Sequence, residues 1–405
     1  MLATHSTGMS RDNIKFRPDR RVRNPDEERK QAHGGRRNLD DSMMKLDHAQ
    51  IGVSQMTPDL DDANINVELE QGRSSQAGKL QYALLKQSAP LVHCQYIGQA
   101  ARHMNMVGDD HILVVNSEHR VDVFKRGDSR KVKTLDIEYM RYSLVLHNML
   151  FIGTEEKMLY LIDALTFEVL DRMMTQSYIF TMCKIDDNTI LCGEYQGNVD
   201  VIRVRKQEQL VKIYQSKLLT GNIYKVVKTD RPNEFCFGCG NGMFFGIFEE
   251  DKFTLGDDKI FTGKYVTQVG LLPRGAFICS IWNQSGVFIV DRNPKNKPQK
   301  IEDPRYNSHT TDLKPLFPEN FSELPYIVTR NKNSINLVDL RNKHIQPLIE
   351  IKNSDLFCEK LNVRQDQDTG QVMLMYVTWQ NDKTYVKEIE LPEQFIDTLR
   401  SAADL

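Results

Sequence analysis

A chain of 405 residues that sets 53 Lys and Arg against 55 Asp and Glu has a formal net charge of -2, so no whole-chain field draws it to nucleic acid or to an acidic membrane. Its apolar share of 40% is ordinary for a soluble protein, and no run approaches the roughly 18 consecutive apolar residues that span a bilayer. Seven scattered cysteines, an odd number, argue against a secreted disulfide framework.

The opening residues, Met1-Leu-Ala-Thr-His-Ser, lack the apolar stretch of a secretory signal, so an intracellular location is expected, cytoplasmic with the nucleus as an alternative. Residues 1–78 mix Arg17, Arg20, Arg21 and Arg23 with Asp19, Asp26, Glu27 and Glu28 and hold almost no aromatic or β-branched side chains. Such a stretch cannot bury enough apolar surface to offset backbone ordering at about 1 to 2 kcal/mol per residue. A disordered, charged tail is expected there. Arg20-Arg-Val-Arg23 has the composition of an import or phosphate-docking patch, although its dilution by acidic residues favours a solvated tail. Thr57-Pro58 fits a proline-directed phosphorylation site.

From residue 79 a short turn between two apolar runs recurs. Gly193-Glu-Tyr-Gln-Gly197 is followed by Asn198-Val-Asp-Val-Ile202, and equivalent turns end at 120, 157, 242, 286, 334 and 383. The steps of 37 to 49 residues match the period of about 40 to 50 expected for propeller blades of four short strands. The expected fold is all-β: a seven-bladed β-propeller of four-stranded antiparallel blades over residues 79–391, preceded by the tail. Blade two illustrates the pattern, with apolar runs at 142–146, 149–152, 158–162 and 167–170. In blade four the outer strand, near Phe253, is poorly defined. Inner runs are nearly continuously apolar because neighbouring blades cover both faces of each sheet.

The final blade lacks its fourth strand at the C-terminal end, since Pro392 to Leu399 reads as a helix with Phe395, Ile396 and Leu399 on one face and Pro392 at its first position. Residues 392–405 are assigned to this helix or tail. A strand from the N-terminal side, about 79–87 or 92–98, would close the ring and leave only short edges.

The five-residue turn, the apolar strand after it and the acidic residue closing that strand in Leu161-Ile-Asp163, Ile289-Val-Asp291 and Leu337-Val-Asp339 resemble the WD40-repeat β-propellers in a degenerate form. No Trp-Asp pair and no Gly-His pair opening a repeat is present, so the family's Asp-His-Ser/Thr-Trp hydrogen-bond network has no residues to build it. The resemblance implies a non-catalytic platform for protein or peptide partners, a monomeric ring within a larger complex.

Specific chemistry is not legible. Cys236-Phe-Gly-Cys239 lacks the second ligand pair of a zinc site and any following helix; Cys192, Cys236 and Cys279 fit second strands of blades as small buried groups. Gly238-Cys-Gly-Asn-Gly242 lacks the Lys-Ser/Thr and helix of a phosphate loop. No catalytic residue, metal site or cofactor is expected, and no membrane or nucleic-acid partner.

One constellation stands out. Trp282 and Trp379 occupy the first position of their turns and Arg330 the same position between them, with Tyr195, Lys332 and Arg120 in or ending equivalent turns. Trp, Tyr and Arg are enriched in interface hot spots, so a partner-binding patch on the turns of blades five to seven is expected, against the plainer reading that both indoles pack between blades. Two other function classes stay open: an enzyme with a site in the central channel, which the apolar inner strands disfavour, and nucleic-acid binding through the basic tail.

Overall fold

Consecutive side chains of a strand point to opposite sides, and in this protein both sides meet a neighbouring sheet. Phe235 and Phe237 pack into one cluster with Leu191 and Val199. Cys236, between them in sequence, packs into another with Phe277 and Cys279. Leu113 and Ile112 divide in the same way. An unbroken apolar run is thus a period-two pattern read by two cores at once. The described residues form seven such clusters, each between adjacent blades.

The structure is a computed structural model. It describes residues 91–401 apart from 99–103, 109, 117, 129, 207, 294, 303–309, 311, 319–320, 322, 324, 332–333, 351–360, 367–368 and 381–382, without the side chains of 91–98, 350, 377–380 and 383–385. The expected tail and the closing candidate 79–87 lie outside the described residues.

Seven four-stranded antiparallel sheets form the ring. Their inner strands are Met104–Val107, Met140–Leu146, Ile179–Asp186, Ile223–Lys228, Val266–Leu271, Asp312–Pro315 and Leu361–Gln365. In blades one to six each sheet runs outward in chain order. In blade seven the outermost strand is Leu91–Gly98, antiparallel to Lys383–Glu390, so the second of the two expected closing segments does the joining and the blade is built from distant parts of the chain. Arg126 of blade one pairs there with the buried Glu388 of blade seven, its Nε 3.1 Å from Oε2. Lys252–Ile260 forms a full outer strand in blade four; its pattern was faint because only Phe253 and Ile260 are buried there and solvent takes the rest.

The recurring turn links the second and third strands of every blade. Its last residue is Gly197, Gly242 or Gly286 in blades three to five, at φ of +83°, +127° and +77°, a region that side chains disfavour. A Cβ on Gly197 would sit 1.9 Å from the Leu219 carbonyl oxygen, so this turn closes against the next link only with glycine. The C-terminal helix is Glu393–Ser401. Pro392 precedes it instead of occupying its first turn, since the Pro392 carbonyl accepts from the amides of Phe395 and Ile396 at 2.9 and 3.1 Å. Phe395, Ile396 and Leu399 bury themselves in the cluster between blades six and seven.

Candidate functional site

Because the sheets are antiparallel, the second-to-third-strand turns lie on the same face of the ring as the links from each outer strand to the next inner strand. Backbone hydrogen bonds fasten the two. The amides of Glu155, Tyr195, Gly240 and Trp282 donate to the carbonyls of Tyr139, Tyr178, Asn222 and Tyr265 at 2.9 to 3.0 Å. Tyr139, Tyr178 and Tyr265 thereby recur at the entrance to successive inner strands, with Asn222 in the series.

Each of these inner strands begins with a break in register: between Met140 and Tyr142, Ile179 and Thr181, Ile223 and Lys225, and Val266 and Gln268. The skipped residue in each is Arg141, Phe180, Tyr224 or Thr267. A bulge leaves one residue unpaired and re-aims its side chain, and here the re-aimed groups meet. Phe180 lies 5.4 Å from Tyr178 and 5.5 Å from Tyr224 between ring centroids. Tyr178 and Tyr195 stack at 4.4 Å, 21° from parallel. The Arg141 guanidinium sits 5.1 Å from the Phe180 centroid and 6.0 Å from that of Tyr178, with its Nε 3.0 Å from a Glu155 oxygen. Burial raises the pKa of the Tyr224 hydroxyl, which accepts from Asn222 Nδ2 at 3.4 Å.

The expected patch residues are only partly brought together. Trp282 is 38% exposed and Tyr265 beside it 48%. Tyr195 belongs to the aromatic cluster just described. Arg330 is 6% exposed, at the end of a strand buried along its whole length. Arg120 is exposed at the start of a third strand. Lys332 lies outside the described residues, as does the side chain of Trp379. The missed residues carried a faint signal: an aromatic side chain at 139, 178 and 265 just ahead of an inner strand, with the same spacing as the turn.

The channel is not purely apolar, a correction to the reading of the inner strands. Lys225 of blade four places Nζ 5.8 Å from the ring centroid of Tyr142 in blade two. Tyr142 first and Asp312 of blade six next raise its pKa against the burial that opposes them, so the amine points into the space shared by these blades. Sequence spacing could not reveal this, since which residue of an inner strand turns inward depends on the bulge before it. Cys236 and Cys239 of the Cys-x-x-Cys stretch face different blade interfaces, and burial pushes both thiols up. Among the described residues no helix is long and apolar enough to cross a membrane.

The WD40 β-propeller domain of Doa1 matches this architecture with a TM-score of 0.55 and 13% identity, covering 76% of this chain and 99% of that one. The fold is a WD40-like β-propeller. U3-55K is similar to the chain with a TM-score of 0.56 and 10% identity over 75% of this chain and 100% of that one. No protein-family model matches the chain, and no curated protein does; the missing Trp-Asp and Gly-His pairs fit that result.

This WD40-like propeller ties its blades with polar networks of its own. In blade one, Asp122 accepts from Asn116 Nδ2 at 3.1 Å and Thr134 Oγ1 at 2.6 Å. In blade six, Asn331 Oδ1 accepts from the Ser334 amide and hydroxyl at 2.8 and 2.9 Å. The network in blade three lies directly beneath the aromatic cluster. Glu194, fully buried, accepts from the Ser177 amide and hydroxyl at 2.8 and 3.2 Å. Asn198 Nδ2 donates to the Tyr195 carbonyl at 3.0 Å. Asp200, also fully buried, has Lys212 Nζ at 2.7 Å. Two neighbouring carboxyls out of water do not both ionise: burial first, and Asp200 second, push the Glu194 carboxyl up to about 8. Burial thus favours the neutral Glu194 carboxyl, which holds Ser177, whose hydroxyl lies 2.9 Å from the Tyr195 carbonyl oxygen, next to the Tyr178–Tyr195 stack.

Proposed function

We propose that the protein is a non-catalytic interaction scaffold that holds a protein or peptide partner on the turn-and-link face of blades three to five. One observation carries the reading. The links 175–178, 218–222 and 261–265 and the turns 195–197, 240–241 and 282–286 contain Lys264 as their single formally charged residue, in a chain that is 27% Asp, Glu, Lys and Arg. They also carry Tyr178, Tyr195, Tyr265 and Trp282. Loss of charge together with gain of Tyr and Trp distinguishes the centre of a protein interface from ordinary surface. WD40-like propellers generally serve as interaction platforms, which agrees.

In this proposal Tyr195 and Trp282 of the expected patch belong to the site, and the site is centred on blades three to five. The ring works as a monomer within a larger complex in the cytoplasm or nucleus, with residues 1–78 as a separate tail. The test is affinity capture from cells with the full chain, compared with Tyr178→Ala/Tyr195→Ala and Tyr265→Ala/Trp282→Ala. Partners should be lost from both variants while the melting temperature moves little. Retention of the same partners by both variants would overturn the proposal.

A further inference from the structure

Side chains alternate along a strand, so Asn362 and Arg364 of the inner strand Leu361–Gln365 project from the same face of blade seven. Met375 pairs with Asn362, Met373 with Arg364, and Glu388 with Met375. Residues opposite one another in an antiparallel pair share a face, so all five do. Blade one meets that face with Met106 and Arg126, and a cavity of about 160 Å³ lies between the two blades, lined by these side chains and by Gly108. Gly108 follows the first strand of blade one and Arg126 its third. The cavity therefore lies towards the face of the ring opposite the turns and links described above.

The polar groups of the lining differ in how far they are satisfied. Arg126 reaches both oxygens of Glu388 and places Nη2 3.4 Å from Met373 Sδ, so this carboxylate is already held. Asn362 Nδ2 is out of water and has no hydrogen-bond partner among the described residues. Such a donor is costly to leave unmade. Arg364 stands two residues along the same strand, and its guanidinium carries five N–H donors, of which one carboxylate takes at most two. Met106, Met373 and Arg364 are partly exposed, which gives a small molecule a way in from water.

We propose that this cavity at the closing seam is a binding site for a small aromatic monocarboxylate, about the size of benzoate. Volume sets the size, since a cavity of about 150 Å³ takes up one benzene ring. The thioethers of Met106, Met373 and Met375 set the body of the ligand, because they are polarizable, adapt to an irregular gap and make favourable contacts with aromatic rings. Asn362 Nδ2 and Arg364 set its head, an acceptor that satisfies the buried amide and carries negative charge. Alternatives fit less well. An amine would meet two guanidiniums against one carboxylate, a plain hydrocarbon would leave Asn362 Nδ2 unpaired, and inorganic phosphate would put nothing against the three methionines. A ligand that touches both blades also holds the ring shut, so its binding stabilises the folded chain.

The experiment titrates the full chain with benzoate, benzamide, benzylamine and inorganic phosphate. Calorimetry reads affinity, and the methyl signals of labelled methionines, assigned with Met→Leu variants, read position. Benzoate should bind most tightly, shift the signals of Met106, Met373 and Met375, and raise the melting temperature. Arg364→Ala should weaken benzoate by about tenfold or more, the loss expected for a charge-assisted hydrogen bond. Asn362→Asp, close to the same shape but negatively charged, should do the same. Circular dichroism confirms that both variants are folded. Binding of benzamide, benzylamine or phosphate at least as tight as that of benzoate overturns the proposal. So does benzoate binding that leaves the three methyl signals unmoved, or that survives both variants. Absence of binding by all four compounds also overturns it and makes the cavity a place for water only.

Discussion

The turn-and-link face of blades three to five and the seam between blades seven and one use the same kind of residue pair for opposite ends. At the seam, Arg126 meets a Glu388 that is 3% exposed and joins two parts of the chain more than 260 residues apart. The described apolar cluster there is small, with Met104, Ile112, Val114, Phe124, Met375 and Val386. The contact between blades six and seven, with the helix, buries many more. At the turn-and-link face, Arg141 meets a half-buried Glu155 and lies over Phe180, within a run of neighbouring strands. The first pair holds the ring shut. The second shapes a surface. The seam thus adds an ion pair where sequence separation is greatest and the described apolar contact is small, whereas the proposed recognition face repeats one local device in successive blades.

The sharpest way to break that contrast is to remove the closing strand. A chain without residues 91–98 leaves Lys383–Glu390 as an unpaired outer edge of blade seven, and its cooperative thermal transition, followed by circular dichroism, should be lost. Next in size, Arg126→Ala strands the buried Glu388 charge and should cost about 3 to 5 kcal/mol in urea unfolding, with Arg126→Met/Glu388→Leu recovering most of it. If the single and double variants were equally unstable, the pair would not be what holds the seam.

A third test lies under the proposed binding face. The folded Glu194 carboxyl titrates near 8 against an ordinary 4.5, so between those values the folded chain holds a proton that the unfolded chain has released. Stability should be greatest below about pH 4.5 with respect to this group, fall as pH rises towards 8, and level off above it. Glu194→Gln should remove that slope, worth a few kcal/mol by the relation of about 1.4 kcal/mol per pH unit. Parallel slopes in the two proteins would show that Glu194 is ionised in the fold. The smallest stability effect belongs to the stack itself: Tyr195→Ala should cost about 1 kcal/mol, measured by thermal melting, while abolishing partner capture. Large unfolding with capture retained would reverse the roles assigned to face and seam.

Blade number was legible because each blade restates the same local pattern, a turn and a buried strand, and glycine marks the turn where a left-handed backbone meets the next link, as at Gly197. Closure by a strand from the N-terminal side, 79–87 or 92–98, was legible from a strand missing at the other end, and the fold selects the second. The aromatic cluster was not, because Arg141, Phe180 and Tyr224 come together only after a bulge in each strand turns them out of the ladder, and a bulge leaves no mark in hydrophobic periodicity. Arg330 shows the reverse: the same turn position as Trp282 in sequence, but buried in the fold.

The amino-acid sequence by itself determined the repeat, most of the strands and the need for an N-terminal strand to close the ring, since period and turn chemistry act over a few residues, whereas the choice of Leu91–Gly98 over 79–87 came from the fold. Which side chains stay exposed on the turn-and-link face, which reach across to another blade as Lys225 does, and how far the Glu194 carboxyl is pushed up were decided only by tertiary structure, because each depends on groups from different strands sharing one dielectric environment.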